Sequence, residues 1–246
     1  MAETKVTAPP LESNDVVERA KGFWAKFSKT IIYAGSAIII LIGGWLAYVN
    51  FIKVPNEEKA SDLIFPAEKL FGKMAAASSF PKDTVGMVLN GGVVDNVKVT
   101  GLLSVIKNYG GTPPGNRAQF IAGACYFHLK EFDKAIKYLK DFDGNDAGQI
   151  QSAAYRMLGD AYAEQKKNDD ALSYYKKAID AADSKDESTK FLSLSRAALF
   201  CEATGKNKEA IEYYQQIKED ISPEYFRNNR IEFDADKYLA KLGVLK

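Results

Sequence analysis

Apolar positions along the chain fall into two regimes: one unbroken block near the start, and a long stretch where they recur at the spacing of a single helix face. The block covers residues 30–52 and holds no charged residue, with Lys29 and Lys53 at its edges. At the rise of an α-helix it is about 34 Å long, enough for a hydrocarbon core of roughly 30 Å with some tilt. Residues 38–42 and their neighbours are apolar around the whole circumference, unlike a core helix with one buried stripe. Tyr33 lies near one end and Trp45, Tyr48 and Phe51 near the other, where amphipathic rings favour the membrane interface. A cleavable signal peptide would have a shorter apolar region and a small-residue cleavage site, and no such site follows. The expectation is a retained single span, stopped by Pro55. Ahead of it residues 1–29 are polar, and Val17, Phe23, Trp24 and Phe27 suit one side of a short helix over 16–27.

Beyond the span, Ala60, Leu63, Ile64, Ala67, Leu70, Phe71 and Met74 form the apolar stripe of a helix over 57–77, which Pro66 is expected to kink or split. Residues 78–81 break it. Residues 85–94 fit short strands or loop, because Asn90-Gly91-Gly92 is a turn signal between apolar runs. Leu102, Val105, Ile106 and Tyr109 predict a short helix over 100–109, ended by the Gly- and Pro-rich residues 110–115.

The most regular pattern lies at 153–180. Tyr155, Leu158, Gly159 and Tyr162 share one face of a first helix, and Ala171, Tyr174, Tyr175 and Ala178 share one face of a second. Small residues at Gly159 and Ala171 are expected to let the two helices approach closely, with Tyr155, Tyr162 and Tyr175 filling the space beside that contact. Upstream, over 119–142, Gly123, Tyr126, Phe132, Ala135 and Leu139 take the places of Gly159, Tyr162, Asn168, Ala171 and Tyr175. Downstream, Ala198, Cys201, Gly205, Ala210 and Tyr214 form a weaker third copy after a slightly long interval, which suggests an extended loop over 183–188. This helix–turn–helix period resembles the tetratricopeptide (TPR) repeat. A last helix over 231–242, with Ile231, Ala235, Tyr238, Leu239 and Leu242 on one side, suits the cap that a solenoid end requires. The expected fold is therefore all-α: a single N-terminal transmembrane helix followed by a TPR-type α-solenoid with a C-terminal capping helix. The chain divides into a cytoplasmic tail (1–29), the span (30–52), a juxtamembrane helical segment with a loop-rich part (53–115), the TPR-like repeats (116–222) and the cap (223–246).

Charge and chemistry narrow the function class. Over 246 residues the formal net charge is +1, too neutral to suggest nucleic-acid binding. Cys125 and Cys201 sit in the first helices of the first and third copies with a whole repeat between them, too far for a disulfide, and read as small buried apolar residues. The single histidine, His128, rules out H-E-x-x-H, and there is no P-loop, no dinucleotide fingerprint and no metal-ligand spacing. No catalytic residue, cofactor site, metal site or small-molecule substrate is expected. What remains is a surface. In TPR solenoids the first helices of successive repeats line a concave groove. The resemblance places Arg117, Phe120, Phe127 and His128 there from the first repeat, Arg156, Asp160 and Glu164 from the second, and Leu192, Leu199 and Glu202 from the third.

Basic residues set an orientation: Arg19, Lys21, Lys26 and Lys29 precede the span, whereas Lys53 and Lys59 follow it among Glu57, Glu58 and Asp62. The heavier basic side stays in the cytoplasm, so the C-terminal bulk is expected to be translocated. A basic tail leading into one span, the helix after it and an exported TPR domain together resemble the YfgM-like family of ancillary translocon subunits. That resemblance implies protein partners: the SecYEG translocon, a membrane-anchored periplasmic chaperone and exported polypeptides. The alternative is a cell-envelope scaffold that coordinates cell-wall or outer-membrane assembly.

Overall fold

The computed structural model describes residues 13–144, 147–183 and 185–244. The start of the N-terminal tail, Ser184 in the 183–188 loop and the last residues of the cap region lie outside them. Two compact units divide the chain, Met1–Pro55 and Asn56–Lys246.

The described residues of the first unit are helical. Helix α1 (Ser13–Tyr48) leads into a π-helical turn (Val49–Lys53). The short helix expected over 16–27 is simply the start of α1, since no Gly-Pro break or cap separates Phe27 from Thr30. Among the described residues there is one helical window long and apolar enough to cross a membrane, with a mean hydropathy of 2.0, and none of it is buried. Pro55 does not stop the helix, because α2 (Val54–Ala76) contains it. A proline lacks its N–H and clashes with the carbonyl four residues back. Here the wide turn has already shifted the register, Val54 N–H bonding to Val49 O, so the ring falls in the first turn of a new α-helix, where a donor is dispensable. Pro66 likewise lies inside α2 without dividing it.

In the second unit, the region expected as strand or loop is a helix followed by a hairpin. Helix α3 (Lys82–Asn90) buries Val85, Val88 and Leu89, three and four residues apart on one face. Strands β1 (Gly91–Val94) and β2 (Val97–Thr100) pair antiparallel, Val94 opposite Val97. The tight turn is Asp95-Asn96, with φ of 49° and 62°, the positive pair that a two-residue hairpin of matching twist requires. Asn90-Gly91-Gly92 instead carries the exit from α3. Gly91 has φ +91°, and a Cβ there would lie 2.9 Å from the backbone of Gly101 across the open end of the hairpin. Helix α4 (Leu102–Tyr109) follows, and α2, α3, β2 and α4 close one hydrophobic cluster around Ile64, Val85, Val88, Leu102 and Val105 against the first repeat.

Three helix pairs follow: α5 (Pro113–His128) with α6 (Phe132–Asp141), α7 (Gly148–Glu164) with α8 (Asn168–Asp180), and α9 (Glu187–Ala203) with α10 (Asn207–Asp220). Thr112 caps α5, its side chain accepting from Gly115 N–H, with proline in the first turn. Asp186 caps α9 by accepting from Thr189 N–H at 3.1 Å. Each first helix ends the same way. Lys130, Lys166 and Gly205 take left-handed backbone, and the next residue's N–H bonds to the carbonyl of Tyr126, Tyr162 and Cys201 at 2.9, 3.0 and 2.8 Å. This is the αL stop with its long return bond.

Within a pair, the tyrosine expected beside the close contact lies directly over the glycine. The space above Gly159 is filled by the Tyr175 ring rather than by Ala171, and a Cβ at Gly159 would come 2.5 Å from that ring. Gly123 faces Leu139 in the same way, at 2.6 Å. Ala135, Ala171 and Ala210 are fully buried at the matching second-helix position. Cys125 and Cys201 are buried free thiols, pushed up to about 12 and about 11 by loss of solvent. The second hydrophobic cluster runs from Ile136 through α7–α10 to Leu239. Its end is closed by α11 (Pro223–Asn229) and α12 (Ala235–Lys241). The cap is therefore two short helices rather than one over 231–242. Arg230 stops α11 in left-handed backbone, and Asp234 starts α12 by accepting from Asp236 and Lys237 N–H.

Candidate partner-binding face

The first helices α5, α7 and α9 present the residues that repeat spacing puts on one face. Those residues have different fates, because neighbouring elements have already engaged many of them. Arg117 is exposed and donates from Nε to Glu68 of α2 at 2.9 Å. Phe120 is half-buried against Phe142, ring centroids 5.3 Å apart. Phe127 is half-buried with its edge toward Phe132 at 5.8 Å. Both rings pack on both hydrophobic clusters, so they bridge them. His128 stacks on Phe80, from the segment between α2 and α3, with centroids 3.4 Å apart, and partial burial lowers its pKa.

Between the second and third pairs the face is polar and internally bonded. Ser152 of α7 donates to Ala178 O at 2.7 Å and meets Ser193 of α9 at 2.8 Å. Arg156 donates to both hydroxyls, at 3.1 and 3.0 Å. Burial depresses the Arg156 pKa, an effect the carboxylate of Asp160 counters. Asp160 accepts from Tyr175 Oη at 2.8 Å and pairs with Arg196 Nε at 3.3 Å. Burial nevertheless raises its pKa, the Arg196 charge and the tyrosine hydrogen bond offsetting only part of the desolvation. One turn further along the third pair, Glu202 accepts from Tyr214 Oη at 3.0 Å and from the Lys241 ammonium of α12. The Lys241 hydrogen bond is the main reason its pKa is lowered.

Glu164 is exposed at the end of α7. Leu192 and Leu199 are 47% and 49% exposed although both project from a helix with a buried opposite face. They sit seven residues apart with Arg196 between them, on one stripe of α9. Repeat spacing alone did not single out Arg196, Ser193 or Lys241. Arg196 was within reach of the pattern, four residues after Leu192 and three before Leu199. Among the described residues, no group of three or more His, Cys, Asp or Glu is placed to hold a metal.

Two stretches match family models described as tetratricopeptide repeat: residues 117–143, in α5 and α6, and residues 150–187, in α7 and α8. No curated protein matches the chain. The chain thus carries TPR repeats within an all-α solenoid, and repeats of this kind point to a protein–protein interaction module.

Proposed function

We propose that this protein is a non-catalytic, membrane-anchored interaction module, an ancillary subunit of the Sec translocon that links it to a membrane-anchored periplasmic chaperone and to newly exported chains. The observation that carries the binding face is the Leu192–Arg196–Leu199 stripe, two exposed leucines flanking an arginine on the first helix of the third repeat. Exposed apolar anchors beside a charged group suit an extended segment of a client or partner, since a few such anchors carry most of an interface's binding energy. Glu164 and the Arg196–Asp160 pair would supply the polar rim. Arg117, Arg156 and Glu202 hold the solenoid together and shape that surface rather than meeting the partner first.

The test is photocrosslinking from Leu192 and Leu199 in membranes, followed by mild-detergent purification and mass spectrometry. Translocon subunits or a periplasmic chaperone are expected on the crosslinks, and Leu192→Ser/Leu199→Ser should cut partner recovery several-fold while the melting temperature stays put. Recovery of cell-wall or outer-membrane assembly enzymes instead would move the assignment to an envelope scaffold. Unchanged recovery by the double variant would remove the stripe as the binding face.

A further inference from the structure

A second surface, made of other residues, lies where the first and second helices of a pair meet. In the second repeat Tyr162 of α7 and Tyr174 of α8 stack, centroids 5.4 Å apart and planes 10° from parallel. Three ammonium groups converge on this one ring pair. Lys140 Nζ lies 5.3 Å from the Tyr162 ring and 5.9 Å from the Tyr174 ring, Lys167 Nζ lies 5.8 Å from Tyr162, and Lys177 Nζ lies 4.7 Å from Tyr174. The first repeat carries the matching station. There Tyr126 and Tyr138 stack at 5.5 Å and 9°, with Lys134 and Lys137 over them. Lys140 belongs to α6 of the first repeat but reaches the rings of the second, so the two stations form one strip. The third repeat has Cys201 and Tyr213 in these places, and the strip ends there.

Among the described residues most of the lysines over the rings, Lys137, Lys140, Lys167 and Lys177, lack a carboxylate partner within ion-pair distance. Of the nearby carboxylates, Glu131 pairs with Lys134 of the strip itself, Asp169 pairs with Lys206, and Asp133 accepts from the neutral amide of Gln165 and so keeps its charge. Asp141, Glu164, Asp170 and Asp180 also lie on these elements, but among the described residues none of them forms an ion pair with Lys137, Lys140, Lys167 or Lys177. Aromatic faces attract exposed ammonium groups weakly, and like charges gathered over one ring pair repel each other. A ligand with several carboxylates relieves that repulsion. Repetition of the station from one repeat to the next suits an extended ligand rather than a single ion.

We propose that the tyrosine–lysine strip of the first two repeats is a docking surface for an acidic polypeptide segment. The surface chemistry favours a polypeptide over an anionic membrane, because no large apolar side chain is exposed on α6 or α8 to insert between lipids. Stable membrane attachment combines charge with such insertion. Tyrosine hydroxyls beside the ammonium groups give carboxylates hydrogen-bond donors as well as charge.

The experiment uses the full chain in phosphatidylcholine nanodiscs and a fluorescein-labelled oligoglutamate peptide as probe, read by anisotropy at low salt. Binding is expected, weakening steeply as salt rises and falling on the order of ten-fold in Lys140→Gln/Lys167→Gln/Lys177→Gln. Replacing the same three lysines by arginine should retain it. A charge-matched control, Lys107→Gln/Lys208→Gln/Lys237→Gln, changes exposed lysines away from the ring pairs and should leave binding intact. Equal losses in the two glutamine variants would reduce the effect to net charge and overturn the proposal. So would absence of oligoglutamate binding, or capture of phosphatidylglycerol vesicles through the same lysines without peptide binding. None of these readouts involves Leu192 or Leu199, so failure here leaves the translocon reading untouched, and the converse holds.

Discussion

Tyr175 shows how one side chain settles a helix pair. Its ring covers Gly159, its hydroxyl reaches Asp160, and that carboxylate in turn holds Arg196 of the next first helix. The ring is therefore fixed at both ends and has nowhere to retreat from an added methyl group. Gly159→Ala is expected to destabilise a fragment spanning 57–246 by about 1–3 kcal/mol despite alanine's better helix propensity. Gly72→Ala in α2, where a Cβ would meet nothing within 4 Å, should instead stabilise it by roughly 0.5–1 kcal/mol. Chemical denaturation of the two variants checks both, and a Gly159→Ala protein as stable as wild type would show that the ring yields. Spacing in the sequence made Gly159 and Tyr175 legible as interior residues of a pair. It put Tyr175 beside the close contact but did not show its ring directly over Gly159, because periodicity tells which face a residue occupies and not which side chain on the opposing helix fills the gap. The candidate face was legible to the same depth. Arg117, Arg156, Asp160 and Glu202 lie on first helices at the expected places, but their engagement by Glu68, Ser193, Tyr175 and Lys241 depends on elements distant in sequence.

Helix ends carry the repeat more faithfully than helix interiors do. Lys130, Lys166 and Gly205 adopt the same left-handed stop, yet only the third is glycine. A lysine there bears a Cβ penalty that the return hydrogen bond and the packing of the next helix override. Lys130→Gly is expected to raise stability by about 0.5–1 kcal/mol, visible as a higher denaturation midpoint with unchanged cooperativity. A fall in the midpoint would mean that the aliphatic stem of Lys130 contributes more packing than the backbone gains. The segment before the repeats was the least legible part. Asn90-Gly91-Gly92 is the stronger local turn signal, yet the hairpin turns at Asp95-Asn96, since Gly91 is needed where the chain passes against Gly101. The spacing of Val85, Val88 and Leu89 did carry the helical period of α3, but nine residues are too few to separate it from a strand run by pattern alone. Pro55 misled for a related reason: a proline ends a helix only when the preceding register is unshifted, and the wide turn at Val49–Lys53 leaves no single-residue mark in the sequence.

For the whole molecule, the decisive question is which side of a membrane the repeats would occupy with the apolar helix inserted, because the translocon, chaperone and client partners proposed above depend on it. The apolar stretch over residues 30–52 is long enough to span, apolar on all sides and indifferent to direction. Its flanks are not, since Arg19, Lys21, Lys26 and Lys29 precede it while Lys53 and Lys59 are diluted by Glu57, Glu58 and Asp62. Basic residues resist translocation and acidic ones count for little, so the side carrying more lysine and arginine within a short distance stays in the cytoplasm. The repeats would then face the periplasm, where exported chains emerge and where buried thiols such as Cys125 and Cys201 are kept from pairing by burial rather than by a reducing environment. Fusing alkaline phosphatase after Lys246 should give an active enzyme, and fusing a cytoplasm-dependent fluorescent reporter at the same point should give a dark one. Moving the balance tests the cause as well as the outcome: changing Arg19, Lys21, Lys26 and Lys29 to glutamine, with lysines in place of Glu57 and Glu58, should send a measurable fraction of the chains in the opposite way. A phosphatase fusion that is silent in the unaltered chain would overturn the orientation and the translocon assignment together, leaving the TPR solenoid and its two surfaces to be matched to cytoplasmic partners.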